Sequence, residues 1–129
     1  MDRAYEILPM IPAETISLRV QSLAREIESD FAGCRNLLVV TVLRGAFIFA
    51  ADLVRALDLE VEVEFMELSS YGDSTQSRRQ VEIVKDLGTD IKGRDVLVIE
   101  DIVDTGRTLT QVLELLSARA PARLRSVAL

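Results

Sequence analysis

Two short apolar runs constrain this chain more than anything else in it. Residues 37–43 read Leu-Leu-Val-Val-Thr-Val-Leu and residues 95–99 read Asp-Val-Leu-Val-Ile, rich in β-branched side chains and far too short to be helices of a stable core. A strand wetted on one face alternates polar and apolar residues, whereas a strand apolar at successive positions needs cover on both faces. The chain must therefore build a sheet with helices on its two sides. The helices are legible too. Ile16, Val20, Leu23, Ile27 and Phe31 recur at helical spacing after Pro12 and end at Gly33, and residues 46–57 follow the first buried strand with Asp52 and Arg55 on the wet side. Leu109, Val112, Leu113 and Leu116 mark a further helix over residues 108–120, stopped by Pro121.

Two alternating segments, residues 61–68 and 80–87, read as half-buried strands flanking a polar, glycine-containing stretch, and Phe65 and Met66 are expected to pack in the core. Residues 69–79 lack any hydrophobic period and are expected to form a mobile loop, since loops of that length in compact domains commonly serve as lids. Residues 124–129 open one more strand, where the sequence ends without a covering helix, which points to a truncated or partner-dependent edge. The alternation of strands and helices predicts an α/β fold with a mostly parallel sheet flanked by helices. A chain of 129 residues forms it as one domain.

Composition then narrows the chemistry. There is no histidine and a single cysteine, Cys34, so Ser-His-Asp and Cys-His catalysis, a disulfide framework and the ligand set of a structural zinc site are all excluded. Cys34, between a glycine and a strand, reads as an inert small residue, and its isolation fits a reducing cytoplasm. No apolar run approaches the ~20 residues of a membrane span, and the first ten residues lack the pattern of a secretory signal. A formal net charge of −6 and a pI near 4.7 argue against a nucleic-acid partner, which calls for a basic face. Carboxylates, hydroxyls, arginine, backbone amides and a recruited metal ion remain. A small phosphorylated ligand can be held by such groups without net positive charge.

The chemistry-bearing stretch is residues 96–108, Val-Leu-Val-Ile-Glu-Asp-Ile-Val-Asp-Thr-Gly-Arg-Thr. It places Glu100 and Asp101 at the carboxyl end of a buried strand, Asp104 just beyond, and a Thr-Gly-x-Thr turn feeding a helix. Ligands of open α/β sheets bind at the carboxyl ends of strands, and a helix start offers N–H groups and a favourable dipole to a phosphate. Gly106 lets the backbone approach, and the Thr105 and Thr108 hydroxyls add donors. Glu100 and Asp101 suit vicinal ribose hydroxyls or water around Mg²⁺. Taken singly, each feature is an ordinary solvated loop or helix cap. Their order is what carries information.

That order resembles the motif by which type I phosphoribosyltransferases bind 5-phosphoribosyl 1-diphosphate (PRPP), and Glu-Asp-Ile-Val-Asp-Thr-Gly resembles their hypoxanthine-guanine branch. Adenine and orotate members instead carry Asp-Asp with a small residue at the position of Asp104, and the pyrimidine regulators a tyrosine before Thr-Gly. Residues 42–46 (Val-Leu-Arg-Gly-Ala) resemble the pyrophosphate loop, residues 69–72 (Ser-Ser-Tyr-Gly) the lid, and residues 81–87 the flanking strand, so the likeness runs from Ile11 onward. The chain departs from the pattern with Arg44 where lysine is usual and with Arg78-Arg79 where Ser-Gly is common. It also lacks the later lysine, aromatic residue and aspartate that handle the purine ring and magnesium.

The resemblance implies a Rossmann-like type I phosphoribosyltransferase core that transfers phosphoribosyl from PRPP to a 6-oxopurine, hypoxanthine or guanine, giving IMP or GMP and pyrophosphate. It implies Asp104 as general base for the purine N7 proton. Asp104, Thr105, Gly106, Arg107 and Thr108 would hold the 5'-phosphate, and Glu100 and Asp101 the ribose and Mg²⁺. Leu43, Arg44 and Gly45 would contact pyrophosphate, with a cis peptide often found at the bond corresponding to Leu43–Arg44, and Ser70 and Tyr71 would close as a lid. Assembly as a dimer or tetramer is the family habit. Two other readings stay open: a PRPP- or nucleotide-binding core without catalysis, and a pyrimidine-type regulator that binds RNA.

Overall fold

The computed structural model describes residues 8, 10–71, 80–103 and 106–129. In chain order the elements are α1 (Ala13–Asp30), β1 (Leu37–Leu43), α2 (Phe47–Ala56), β2 (Val61–Tyr71), β3 (Gln80–Lys85), β4 (Asp95–Glu100), α3 (Arg107–Ser117) and β5 (Arg123–Ala128). The five strands form one sheet in the order β3-β2-β1-β4-β5. All neighbours are parallel except β2 and β3, which pair antiparallel. The α/β expectation holds.

The two apolar runs become the central strands. Residues Leu37 through Val42 of β1 and Val96 through Ile99 of β4 are buried, because alternate residues face opposite helical layers. Leu37, Val39, Leu97 and Ile99 pack under α1 and α2 with Leu23, Ala24, Ile27, Phe49 and Leu53. Leu38, Val40, Val42, Val96 and Val98 pack with Val112 and Leu116 of α3 and with Met66 of β2. α1 begins after Pro12, whose fixed φ is compatible with a helix start, and its expected stripe is the buried one. At the far end of the sheet Arg123 ties three elements together. It makes paired 2.9 Å bonds to the Asp95 carboxylate, donates to the Asp30 carbonyl at 2.9 Å, and lies 4.9 Å from the centre of the Phe31 ring.

Three differences from the sequence expectations have physical reasons. β2 continues through Tyr71, so residues 69–71 of the expected loop are paired strand; Ser69, Ser70 and Tyr71 face Glu82, Val81 and Gln80 across the ladder. Cross-strand pairing does not need an apolar period, and the pair is further held by Leu68 and Ile83 packing on the core and by the Val81 N–H donating to Gln111 Oε1 at 3.0 Å. Residues 72–79 lie outside the described residues. Met66 is fully buried, but Phe65 is 40% exposed, because it faces the α1–α2 side beyond the reach of those helices. The last helix ends at Ser117 rather than at residue 120, and Ala120 turns the chain with φ 58°. No helix among the described residues is long and apolar enough to cross a membrane.

Candidate active site

The sheet order reverses direction at β1. The chain leaves β1 for β2 on one side and later enters β4 on the other, so the crevice between the carboxyl ends of β1 and β4 is the topological switch point where ligands of such sheets bind. The sequence places its chemistry there. β1 exits into Arg44 and Gly45, and β4 exits into Glu100 and Asp101. The Leu43–Arg44 peptide bond is cis.

Glu100 is half-buried, and its environment sets its charge. Burial is the main cause that pushes its carboxyl up to about 7, with the neighbouring Asp101 carboxylate adding to the rise; the Asp101 N–H donates to Glu100 Oε1 at 3.1 Å and opposes it. The Asp101 carbonyl accepts from the Leu129 N–H at 3.1 Å, which fixes the acidic turn against the end of β5. Gly45 is accessible and borders this turn closely. A side chain beginning at Gly45 would meet the Asp101 carboxylate.

Gly106 precedes α3 with φ 80°, a left-handed conformation that glycine adopts without strain. It is the N-cap, its carbonyl accepting from the Thr110 N–H at 2.9 Å, and Arg107 and Thr108 open the helix as exposed residues. A helix start presents N–H groups that have no acceptor in their own helix. Of the residues expected to hold phosphate, Gly106, Arg107 and Thr108 therefore lie at such a start, while Asp104 and Thr105 lie outside the described residues. Ser70 and Tyr71 are placed by backbone only, at the carboxyl end of β2 on the same edge of the sheet as Gly45 and Asp101.

One residue near the site escaped the sequence reading. Glu67 accepts from Arg44 Nε at 3.2 Å, because the parallel register sets it opposite Leu43. Only the register brings the two together, so no local sequence signal could have shown it. The Arg44 side chain is otherwise 87% exposed. As a metal site the edge offers the hard oxygens of Glu100 and Asp101. Among the described residues no group of three or more potential ligands gathers anywhere. Such hard carboxylate donors suit a hard divalent cation such as Mg²⁺.

A mostly parallel sheet with a helix start and an acidic pair at its switch point is an arrangement in which α/β domains bind phosphorylated ligands. The chain belongs to the phosphoribosyltransferase family: the phosphoribosyl transferase domain matches residues 12–129. Its relatives lie in the hypoxanthine-guanine branch. It is 48% identical over 121 residues to the hypoxanthine-guanine phosphoribosyltransferase of Mycobacterium avium, covering 90% of this chain and 60% of that one. With the enzyme of the same name from Aquifex aeolicus it shares 44% over 124 residues, covering 96% and 70%. Among solved structures, a hypoxanthine-guanine phosphoribosyltransferase from Bacillus anthracis with a HEPES molecule in its active site superposes with a TM-score of 0.88 at 37% identity, over 97% of this chain and 74% of that one. The chain thus spans 60% and 70% of the length of these two curated relatives.

Proposed function

We propose that the protein is a 6-oxopurine phosphoribosyltransferase of purine salvage, converting hypoxanthine or guanine and PRPP to IMP or GMP and pyrophosphate. The observation that carries this reading is the convergence of the Arg44–Gly45 turn, the Glu100–Asp101 pair and the Gly106 helix start on one edge of the sheet. The names of the similar enzymes support it.

A purine ring nitrogen bonds to C1 of the ribose as the bond to pyrophosphate breaks, through a transition state with oxocarbenium character. The chain's groups suit each end of that displacement. The N–H groups opening α3 and the Thr108 hydroxyl bind the 5'-phosphate, with Thr105 alongside by the motif. Glu100 and Asp101 accept from the ribose hydroxyls, and a nearby carboxylate suits the positive charge that develops on the ring. Arg44 and Gly45 hold the departing pyrophosphate. Asp104 accepts the N7 proton as general base. Glu100 and Asp101 would hold Mg²⁺ directly or through water, and the ion would supply positive charge to neutralise the leaving pyrophosphate. Ser70 and Tyr71, at the end of β2, belong to the segment that closes over the site and excludes water.

The same reading assigns the protein to the cytoplasm and to a dimer or tetramer. The exposed Val63 and Phe65 support self-association. The test is Mg²⁺- and PRPP-dependent conversion of hypoxanthine, guanine, xanthine and adenine to nucleotides by this polypeptide. Product from hypoxanthine or guanine, abolished or reduced at least a hundredfold in Asp104→Asn with PRPP binding retained, is the expected result. PRPP binding without product would favour the binding-core reading, and unchanged turnover in Asp104→Asn would remove the general-base assignment.

A further inference from the structure

The turns leaving β1 and β4 approach closely at Gly45 and Asp101, between two halves of the site that the motifs treat as separate. A Cβ built on Gly45 would stand 2.5 Å from Asp101 Oδ2, 3.1 Å from its Cγ and 3.3 Å from Oδ1. Favourable contacts between such atoms begin near 3.5 Å, so the carboxylate already fills the volume where a side chain would start. Glycine is not required by the backbone there. Among the described residues the positive-φ glycines are Gly33, Gly93 and Gly106, and Gly45 is not among them. Gly106 is the converse case, with φ 80° and no atom nearer than 3.8 Å to its absent Cβ. One glycine is there for its torsion angle and the other for its missing side chain.

Resting on the phosphoribosyl-transfer reading of the site, we infer that Gly45 is a positioning residue for Asp101: its missing side chain is the seat of the Asp101 carboxylate. Through that seat Gly45 governs the ribose and metal end of the site as well as the pyrophosphate end. The obstructing atoms are the tip of a short side chain rather than backbone. Gly45→Ala therefore rotates the Asp101 carboxylate out of place and leaves the sheet below intact.

A ligand without pyrophosphate separates this from a role in pyrophosphate binding alone. Ribose 5-phosphate with Mg²⁺ is titrated calorimetrically into the full 129-residue chain. Gly45→Ala weakens it about tenfold, as does Asp101→Ala, and the double variant is no weaker than Asp101→Ala. Melting temperatures of Gly45→Ala and wild type agree within a few degrees. Should Gly45→Ala prove unstable, adding Asp101→Gly empties the seat and restores the melting temperature; a double variant as unstable as the single one overturns the inference. Wild-type affinity for ribose 5-phosphate in Gly45→Ala, with magnesium pyrophosphate affinity lost, overturns it too, as do additive losses in the double variant. A wild-type chain that binds neither ribose 5-phosphate nor Mg·PRPP overturns the reading of the site itself, and the inference falls with it.

Discussion

Glu100 carries a cost that the fold retains at its working edge. Its carboxyl titrates near 7 in the folded chain against 4.5 for an ordinary glutamate, chiefly because burial disfavours the charged form. Between these two values the folded state holds a proton that the unfolded state has released, so stability falls as pH rises from about 4.5 to about 7 and the loss is complete above that. Glu100→Gln cannot ionise. The gap in unfolding free energy between this variant and wild type should open across that window and stay constant at higher pH; denaturant titrations that run parallel at every pH would refute the assignment. Thr41 shows the opposite economy. It sits in the middle of β1 with its side chain fully buried, and its hydroxyl has no hydrogen-bond partner. A buried unsatisfied hydroxyl costs about 1–3 kcal/mol, and valine has nearly the same shape. Thr41→Val should raise stability by about 1 kcal/mol in the same titrations, and a loss would mean that the hydroxyl is satisfied in solution.

At the scale of elements, what could be read from sequence was what depends on local period. The stripe Leu109, Val112, Leu113 and Leu116 announced α3, and Val112 and Leu116 are its buried residues. The fully buried Leu116 lies against the β1–β4 layer, so Leu116→Ala should cost about 2–5 kcal/mol, measured as a lower denaturation midpoint; a cost below 1 kcal/mol would mean that α3 is held mainly by its ends. The chain just past its C-terminal end is tethered. Arg119 pairs with both oxygens of Asp86 at 2.9 and 2.8 Å, and the Ala120 carbonyl accepts from the Gly93 N–H at 2.9 Å. The continuation of β2 to Tyr71, the exposure of Phe65 and the Arg44–Glu67 pair were not legible, since each follows from register or from which helix covers which strand. The acidic pair and the helix start at Gly106 were legible because one contiguous stretch encodes them. The seat of Asp101 at Gly45 was not, because it joins residues more than fifty positions apart.

For the whole molecule, charge and fold combine into one pH profile. Asp86 and Asp95 are each held below the usual carboxylate range by a hydrogen-bonded arginine, Arg119 and Arg123 respectively. Their stabilisation is present above the ordinary value of 3.8 and is lost as pH falls through their lower folded values. Glu100 acts in the other direction from about 4.5 upward. Self-repulsion adds to it, because the chain passes from near neutrality at pH 4.7 to a formal charge of −6 at pH 7. The acid limb and the two rising penalties meet between pH 4 and 5, so the melting temperature should peak there and decline toward neutrality. Concentrated salt separates the two penalties. Screening weakens repulsion among exposed charges while leaving the desolvation of Glu100 in place. In ~1 M NaCl the upper limb should therefore flatten only in part for wild type and almost completely for Glu100→Gln. A maximum at or above pH 7, or an upper limb that salt removes entirely in wild type, would show that the buried carboxylate at the site carries no such cost.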